Sequence, residues 1–335
     1  MVEKIEKKRL AILRILNDTN KPLASQKITE QLVNMGYDIS DRTVRFYLLA
    51  MDKDGLTEYI GKHGRKITNK GVLELSKARV FEKVGYLSAK IDQMTYRMNF
   101  DLSKLKGTVV INVSLIKRDQ IKEAYPLIAR VFEAGYAMGR LLTLFNPGEH
   151  VGEIYIPDNF VGIGTVCSIT LNGVLLAHGI PTKSRFGGIL EIKNRKPTRF
   201  VAIINYDGTS LDPLEIFIKS GMTDCTGATE SGNGLIGASF REIPGESRNN
   251  VIDIANRLET AGLGGIFEVG WSGLPLCEIP INEGLVGVII IGGLNPVAIL
   301  EECGITVYSN ALSGLIDYRK LFTYKELEKH IDVLN

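Results

Sequence analysis

Side chains that can bind nucleic acid stand at the start of one predicted helix, in the stretch "ISDRTVRF" (39–46). Ser40 is a favourable N-cap, because its hydroxyl can accept an otherwise unpaired amide hydrogen of the first turn. Arg42, Thr43 and Arg45 follow on the side opposite an apolar stripe. Arginine suits guanine or phosphate, and threonine suits phosphate or a thymine methyl group. The pattern predicts a helix that contacts DNA.

A basic hairpin follows this helix. The segment "LTEYIGKHGRKITNKG" (56–71) has two short β-rich stretches, and Gly61 and Gly64 permit a tight tip between them. The tip carries three side chains that we expect at the DNA backbone or minor groove, namely Lys62, His63 and Arg65. Three helices and such a hairpin predict a winged helix-turn-helix over residues 1–75, whose third helix enters the major groove. A winged helix that docks a protein is the alternative.

A long helical pattern links this domain to the rest of the chain. Apolar residues recur at spacings of three and four through residues 72–98, at Val80, Val84, Leu87, Ile91 and Met94. Such a stripe packs against a partner helix or against the next domain. We therefore predict a helical connector over residues 76–100 that is also a candidate dimer element.

Small polar and cationic residues cluster in three glycine-rich loops farther along. The loops are "TKSRFGG" (182–188), "DGTS" (207–210) and "GMTDCTG" (221–227). Backbone amides, hydroxyls and cations in such loops suit a small anion. The candidate ligands are Lys183, Ser184, Arg185, Thr209, Ser210 and Thr223. Ordinary turns are the alternative for each of these loops.

Signals for catalysis are weak in this sequence. Gly162 and Gly164 do not form a dinucleotide fingerprint, because Cys167 occupies the place of the third glycine, and no phosphate-binding GxxxxGK[ST] motif is present. The four histidines have no metal-ligand spacing, and no GxSxG motif occurs. We therefore predict no catalytic residue, no metal site and no cofactor.

The large domain, predicted over residues 101–325, reads as one unit used twice. "GTVVINVSLI" (107–116) parallels "GLIGASFREI" (234–243), and each is followed by a helix that ends in Ala-Gly 28 positions after the first glycine. Later, "GGILE" (187–191) parallels "SGLID" (313–317). The units span about 107–195 and 234–320. Strands alternate with helices, so we predict an α/β fold (α+β for the whole chain) with pseudo-two-fold symmetry and sheets covered by helices.

Two asparagines occupy equivalent positions in these units. Asn172-Gly173 alone would indicate a hairpin turn, but its counterpart Asn295-Pro296 cannot form that turn. Asparagine followed by proline fits the N-cap and first position of a helix. We therefore predict that Asn172 and Asn295 are N-caps, and that Gly179 and Gly304 end the two helices.

Composition limits the class of protein. The 335 residues predict two or three domains, and 44% are hydrophobic, which is enough for sizeable cores. No apolar run approaches a membrane span, and the N-terminus lacks the apolar region of a signal peptide, so we expect a cytoplasmic protein that contacts no membrane. Four dispersed cysteines indicate reduced thiols in or near the core. Residues 1–75 hold 14 Lys and Arg against 10 Asp and Glu, an excess of positive charge.

Three motifs behind the winged helix resemble the archaeal nitrogen-assimilation repressors of the NrpR type. The motifs are "NVSLIKRDQ" (112–120), "YDGTSLDPLEIFIKSGMTD" (206–224) and "GLIGASFREIP" (234–244). The resemblance covers roughly residues 5–320 and implies a large domain for effector binding and dimerisation. It further implies repression of nitrogen-fixation and glutamine-synthetase genes, by binding double-stranded palindromic operators as a homodimer or pair of dimers. The effector implied is the dicarboxylate 2-oxoglutarate, which releases the repressor from DNA.

The sequence departs from some members of this family, which carry two copies of the large domain where this chain has one. It is a complete short form, a fragment, or a protein that works with a second chain carrying another NrpR domain. Two other functions also fit the pattern. One is a metabolic enzyme fused to a winged helix, and the other is a DNA-binding scaffold that responds to no ligand.

Overall fold

The computed structural model describes residues 2–19, 21–82, 86–152 and 154–333. The chain divides into two compact units, the first ending at residue 84 and the second beginning at residue 85. Within these ranges, the first unit contains four α-helices and one two-stranded sheet. Its elements are α1 (Val2–Thr19), α2 (Ser25–Asn34), α3 (Asp41–Lys53), β1 (Thr57–Tyr59), β2 (Arg65–Ile67) and α4 (Asn69–Glu82).

Helix α3 forms as its sequence predicts. Ser40 is the N-cap, and its side chain accepts a hydrogen bond from the amide of Thr43. Val44, Leu48 and Met51 are fully buried and face a small core with residues of α1 and α2. Gly55 has a φ of +71°, so it supplies the left-handed residue after the helix. The cap and the apolar stripe therefore fix which side of α3 faces solvent.

The hairpin after α3 is the wing. Strands β1 and β2 pair antiparallel from Thr57 opposite Ile67 to Tyr59 opposite Arg65. A short 3-10 turn, Gly61–His63, makes the tip. Gly64 has a φ of +99°, and a Cβ there would lie 2.1 Å from the carbonyl oxygen of Leu23. Leu23 hydrogen-bonds to Arg65 through both of its backbone groups, so the segment before α2 anchors the base of the wing.

The second unit is an α/β domain. Its helices are α5 (Tyr86–Arg97), α6 (Ile121–Glu133), α7 (Ile169–Ala177), α8 (Pro213–Lys219), α9 (Cys225–Ser231), α10 (Arg248–Thr260), α11 (Asn295–Glu302) and α12 (Leu327–Val333). Its strands are β3 (Thr108–Lys117), β4 (Leu141–Phe145), β5 (His150–Val151), β6 (Ile154–Tyr155), β7 (Phe160–Val166), β8 (Lys183–Lys193), β9 (Lys196–Asn205), β10 (Gly234–Pro244), β11 (Ile266–Val269), β12 (Leu285–Ile291), β13 (Tyr308–Asp317) and β14 (Phe322–Thr323).

Two five-stranded sheets confirm the predicted internal duplication. Their orders are β13-β3-β7-β4-β14 and β9-β8-β10-β12-β11 when the second is read from its β9 edge. Each sheet contains a strand from the other sequence repeat, because β8 of the first repeat (107–195) pairs with β10 and β13 of the second repeat (234–320) pairs with β3. The registers correspond, since Gly188 lies opposite Ala238 as Gly314 lies opposite Ile111. The two repeats are therefore interlocked by strand exchange.

Helices cover both faces of these sheets. Residues of both sheets enter each of two hydrophobic clusters, one with α5, α7 and α10 and the other with α6, α9 and α11. The strands are consequently apolar on both faces, as "VGVIII" (286–291) shows. Across the described ranges, no helix is both long enough and apolar enough to span a lipid bilayer.

The predicted N-cap role of Asn172 and Asn295 is wrong. Asn172 lies inside α7 and Asn295 is the first residue of α11, and both side chains are buried. Each makes tertiary hydrogen bonds instead: Asn295 Oδ1 accepts from the amide of Gly237 at 2.9 Å. Burial in the core requires such partners and overrides the capping preference. Gly179 and Gly304 do end the helices, with φ values of +73° and +84°.

The apolar stripe predicted across the connector packs within the chain where the structure describes it. In α5, Leu87, Ile91 and Met94 are buried in a core cluster of the second unit. These three residues therefore pack against the following domain, one of the two partners expected for the stripe, and dimerisation stays a prediction. Val84 and the side chain of Val80 lie outside the described residues.

Candidate nucleic-acid interface and ligand groove

The solvent side of α3 presents two arginines in different states. Arg42 is exposed and, within the described part of the chain, forms no hydrogen bond or ion pair. Arg45 is held in place, with its Nη2 2.7 Å from Asp41 Oδ2 and its Nε donating to the hydroxyl of Ser25 at 3.1 Å. Arg42 is therefore free to meet an outside acceptor, and Arg45 is oriented by α2 and by the first turn of α3.

The side chains of Thr43 and Ser40 are hydrogen-bonded to each other. Their hydroxyl oxygens lie 2.9 Å apart, and the Ser40 oxygen also receives the Thr43 amide. Both hydroxyls sit at the N-terminus of α3, where the amides and the helix dipole favour an anion. Contact with a phosphate group suits this pair better than contact with a base.

The three cations predicted at the wing tip differ in exposure and in hydrogen-bond partners. Lys62 and His63 are exposed at the tip. Arg65 is not at the tip, because its side chain is only 14% exposed and its Nε lies 2.8 Å from Asp52 Oδ2. Its guanidinium also stacks over the Tyr59 ring, 5.1 Å from the centroid. The prediction of Arg65 as a tip contact is therefore corrected: it ties the wing to α3.

A concave groove lies in the second unit. Its volume is about 650 Å³, within the range of small-molecule sites. One wall is α5, another is the segment 210–215 that ends in the first turn of α8, and the third is the segment 310–315 of β13. That segment contains an irregularity in strand register between Asn310 and Gly314, with Leu312 at a φ of +51°. Irregular strands of this kind often lie beside functional sites.

The walls of the groove carry opposite charges. Lys90 and Arg97 belong to α5 and have no ion-pair partner in the described ranges. Asp212 and Glu215 line the facing wall. Asp212 caps α8 by accepting hydrogen bonds from the amides of Leu214 and Glu215, and burial raises its pKa despite these bonds.

Glu215 is the titratable group of the groove. Burial raises its pKa to about 7, and the neighbouring Asp212 adds to this rise. The hydrogen bond that Glu215 accepts from the Ala311 amide and the positive charge of Lys90 both lower the pKa, but less. The charge of the groove therefore changes near neutral pH, and the groove suits an anion best when Glu215 is protonated.

Only some of the predicted effector residues reach this groove. Ser210 lines it, and Thr209 stands next to it, where its hydroxyl donates to the Leu211 carbonyl and receives the Leu211 amide. The loop 207–210 thus lies beside the groove. The remaining candidates, Lys183, Ser184, Arg185 and Thr223, do not line the groove.

The structure gives these four residues other surroundings. Arg185 pairs with Glu242, Nη1 to Oε1 at 3.0 Å, so its charge is already neutralised. Ser184 accepts a hydrogen bond from Asn172 Nδ2 at 2.9 Å, and Lys183 is exposed at the start of β8. Thr223 is half-buried in the turn between α8 and α9. Their grouping into one anion site is corrected accordingly.

A buried arginine that no local sequence pattern indicates lies behind the groove. Arg241 on β10 is fully buried, and no carboxylate of the described residues lies within 4 Å of its guanidinium nitrogens. It donates to Asn172 Oδ1 at 3.1 Å and to Ser168 Oγ at 3.3 Å, and lies over the Tyr206 ring. Neutral oxygens thus compensate a buried charge, which is costly without partners. We call these four residues the Arg241 network.

A small cavity joins the Arg241 network to the groove. Its volume is about 20 Å³, enough for one water molecule. Ser168 and Tyr206 of the network line it, and it shares Asp212 and Ala311 with the groove. Ser239 also lines it, and among the described residues the buried Ser239 hydroxyl has no hydrogen-bond partner. The floor of the groove therefore continues toward a buried positive charge.

This architecture defines a winged-helix protein that carries an internally duplicated α/β domain. Residues 10–75 match the model of the ribonuclease R winged-helix domain, and residues 84–323 match the model of the NrpR regulatory domains NRD1 and 2. The chain belongs to the NrpR regulatory family.

Named relatives agree with this assignment. The chain is 35% identical to the global nitrogen regulator NrpRI of Methanosarcina mazei, over 98% of this chain and the whole of that protein. It is 33% identical to the global nitrogen regulator NrpR of Methanococcus maripaludis, over 91% of this chain and 53% of that protein. For NrpR of Methanocaldococcus jannaschii the identity is 31%, over 98% of this chain and 57% of that protein. The chain thus spans all of one relative and little more than half of two others.

A solved structure also resembles this chain. The crystal structure of a nitrogen repressor-like protein from Methanococcus jannaschii superposes with a TM-score of 0.60 at 27% identity. It covers 70% of this chain, and 97% of that chain is matched.

Proposed function

We propose that this protein is a transcriptional repressor of nitrogen assimilation genes that binds double-stranded operator DNA. The observation that carries the proposal is the unpaired, exposed Arg42 at the start of α3, in a winged helix joined to an NrpR regulatory domain. Arg42 reads a base in the major groove, and Arg45, Ser40 and Thr43 hold the helix on the phosphates. Lys62 and His63 extend the contact from the wing.

The operator is palindromic and is bound by a homodimer or a pair of dimers. Two recognition helices of a dimer reach half-sites about one turn, roughly 34 Å, apart. Two relatives are nearly twice as long as this chain. A second chain with another NrpR domain then supplies the part that those relatives carry in one polypeptide.

The effector is 2-oxoglutarate, bound in the groove. Its two carboxylates pair with Lys90 and Arg97 on α5, while the hydroxyl of Ser210 donates a hydrogen bond. This assignment replaces Lys183 and Arg185 with two cations that have no partner in the described ranges. Because α5 directly follows the winged-helix unit in the chain, a ligand that moves α5 can influence DNA binding.

To release DNA, 2-oxoglutarate must bind the arrangement that cannot hold the operator better than the arrangement that can. Tight binding to both arrangements would shift nothing.

A gel-shift titration of the full chain tests the proposal. Operator DNA is first selected from a random duplex pool, and its affinity is then measured with and without 2-oxoglutarate. We expect 2-oxoglutarate to weaken binding by the parent and by Lys329→Ala, an exposed lysine outside the groove. The Lys90→Ala/Arg97→Ala variant should bind DNA equally well but lose the response.

Three results would contradict the proposal. Failure to enrich any sequence would exclude specific DNA binding. Affinity indifferent to 2-oxoglutarate would indicate a scaffold that responds to no ligand. Consumption of 2-oxoglutarate during the incubation, followed by NMR, would indicate an enzyme.

A further inference from the structure

The exposed side of α3 is not only cationic. Phe46 and Leu49 are 69% and 55% exposed, and each follows an arginine by four residues, Phe46 after Arg42 and Leu49 after Arg45. Phe46 touches only the edge of Tyr47 among the aromatic rings, with centroids 6.2 Å apart. We call Arg42, Arg45, Phe46 and Leu49 the reading face of α3. Its apolar half lies farther along the helix than its cationic half.

The positive charge around this apolar half indicates which class of partner covers it. An exposed apolar side chain alone indicates nothing, since such residues are common on protein surfaces. Here Phe46 stands one turn from the unpaired Arg42, on a domain with an excess of basic residues. The exposed Lys62 and His63 of the wing belong to the same unit. A polyanion with an apolar feature in its groove matches that combination.

Duplex DNA offers one such feature in the major groove, the 5-methyl group of thymine. Four residues of helix advance about 6 Å, and base pairs are stacked about 3.4 Å apart, so Phe46 lies roughly two base pairs from Arg42. We propose that Phe46 contacts the methyl group of a thymine within about two base pairs of the base that Arg42 reads. The inference rests on the proposed operator binding and adds a specificity-determining residue to it.

Removal of single methyl groups tests this contact. In a duplex selected with the full chain, each thymine of one half-site is replaced in turn by deoxyuridine, which lacks only the methyl group. We expect one position at which the replacement weakens binding by about three- to tenfold, the effect of one buried methyl group. At that position, 5-methylcytosine in place of cytosine should recover part of the affinity.

The variant Phe46→Ala identifies the residue that makes the contact. It should bind the thymine duplex more weakly and should no longer distinguish thymine from deoxyuridine. Phe46→Leu keeps an apolar side chain and should retain part of the discrimination. Val33→Ala removes a comparably exposed apolar residue from α2, so it should discriminate as the parent does. Thermal melting confirms that each variant is folded.

The outcomes separate this inference from the proposed function. If the pool yields no enriched duplex, specific DNA binding itself fails. If a duplex is enriched and no deoxyuridine changes its affinity, the thymine contact is wrong while operator binding stands. A sensitive position that persists in Phe46→Ala would assign the methyl contact to another residue and overturn the inference.

Discussion

The guanidinium Nε of Arg65 lies 2.8 Å from Oδ2 of Asp52, and the other oxygen of that carboxylate accepts the hydroxyl of Thr57 at 2.6 Å. One carboxylate on α3 thus holds both strands of the wing. The wing and the recognition helix are consequently one rigid surface, and contacts at the tip can set the register of α3 on DNA.

Arg65→Ala should therefore destabilise the first unit. The variant leaves Asp52 partly buried without its cation, and the expected loss is about 1–3 kcal/mol in the free energy of unfolding. Lys66→Ala, an exposed lysine on the same strand, is the control and should melt like the parent. Urea unfolding followed by circular dichroism measures both. Equal stability of Arg65→Ala and the parent would show that the ion pair does not brace the wing.

Arg42→Ala and Lys62→Ala should weaken DNA binding in different ways. Loss of a bidentate base contact should cost about 1–3 kcal/mol and relax preference at one base pair. Loss of a phosphate contact from Lys62 should weaken all sequences alike and flatten the salt dependence by about one ion. Lys53→Ala, at the far end of α3, is the control. Operator binding by both Arg42→Ala and Arg45→Ala with parental affinity and sequence preference would exclude α3 as the recognition helix.

The affinity for 2-oxoglutarate should fall as pH rises through about 7. Burial raises the pKa of Glu215 to about 7, so Glu215 is protonated below this pH and negatively charged above it. A charged Glu215 repels the carboxylates of the ligand, and binding therefore takes up a proton. Isothermal titration in buffers of different ionisation enthalpy measures that uptake between about pH 6 and pH 8. In Glu215→Gln the dependence should be absent, and an unchanged dependence would remove Glu215 from the site.

The Arg241 network gives a prediction about stability. Asn172→Ala removes the acceptor of a fully buried guanidinium, so we expect a loss of about 1–3 kcal/mol or more in the free energy of unfolding. Asn172→Asp keeps the shape and supplies a charge partner, so it should be more stable than Asn172→Ala at neutral pH. Asn159→Ala, an exposed asparagine of the same unit, is the control. The reverse order of the two Asn172 variants would show that Arg241 does not need the acceptor.

Local patterns were sufficient to predict much of the fold. The Ser40 cap, the stripe at Val44, Leu48 and Met51, and the glycine at 55 depend only on neighbours in sequence, and α3 begins and ends accordingly. The duplication was visible because equivalent strands keep the same spacing of glycines. Strand exchange was not predictable, because β8 and β13 have matching patterns and nothing local indicates which sheet each joins.

The groove and the Arg241 network depend on contacts between distant segments. From the sequence alone, Lys90 and Arg97 would be predicted on a solvent-exposed helix face. Only the tertiary fold brings segments 210–215 and 310–315 beside them. Arg241 would be predicted as an exposed strand residue, because nothing near it in sequence indicates its hydrogen-bond partner Asn172, 69 positions away. Arg185 was predicted to bind an anion, but its charge is paired with Glu242, which lies on the neighbouring strand β10. Which cations are free is therefore a property of the tertiary structure.

Coupling between the two ligands is the central claim, and linkage makes it directly measurable. The factor by which saturating 2-oxoglutarate weakens operator binding must equal the factor by which operator weakens 2-oxoglutarate binding. Both Kd values are determined by titration of the full chain at fixed salt and pH, each with and without the other ligand. We predict equal factors well above one. The same affinity for 2-oxoglutarate with and without operator would contradict the account, even if both ligands bind.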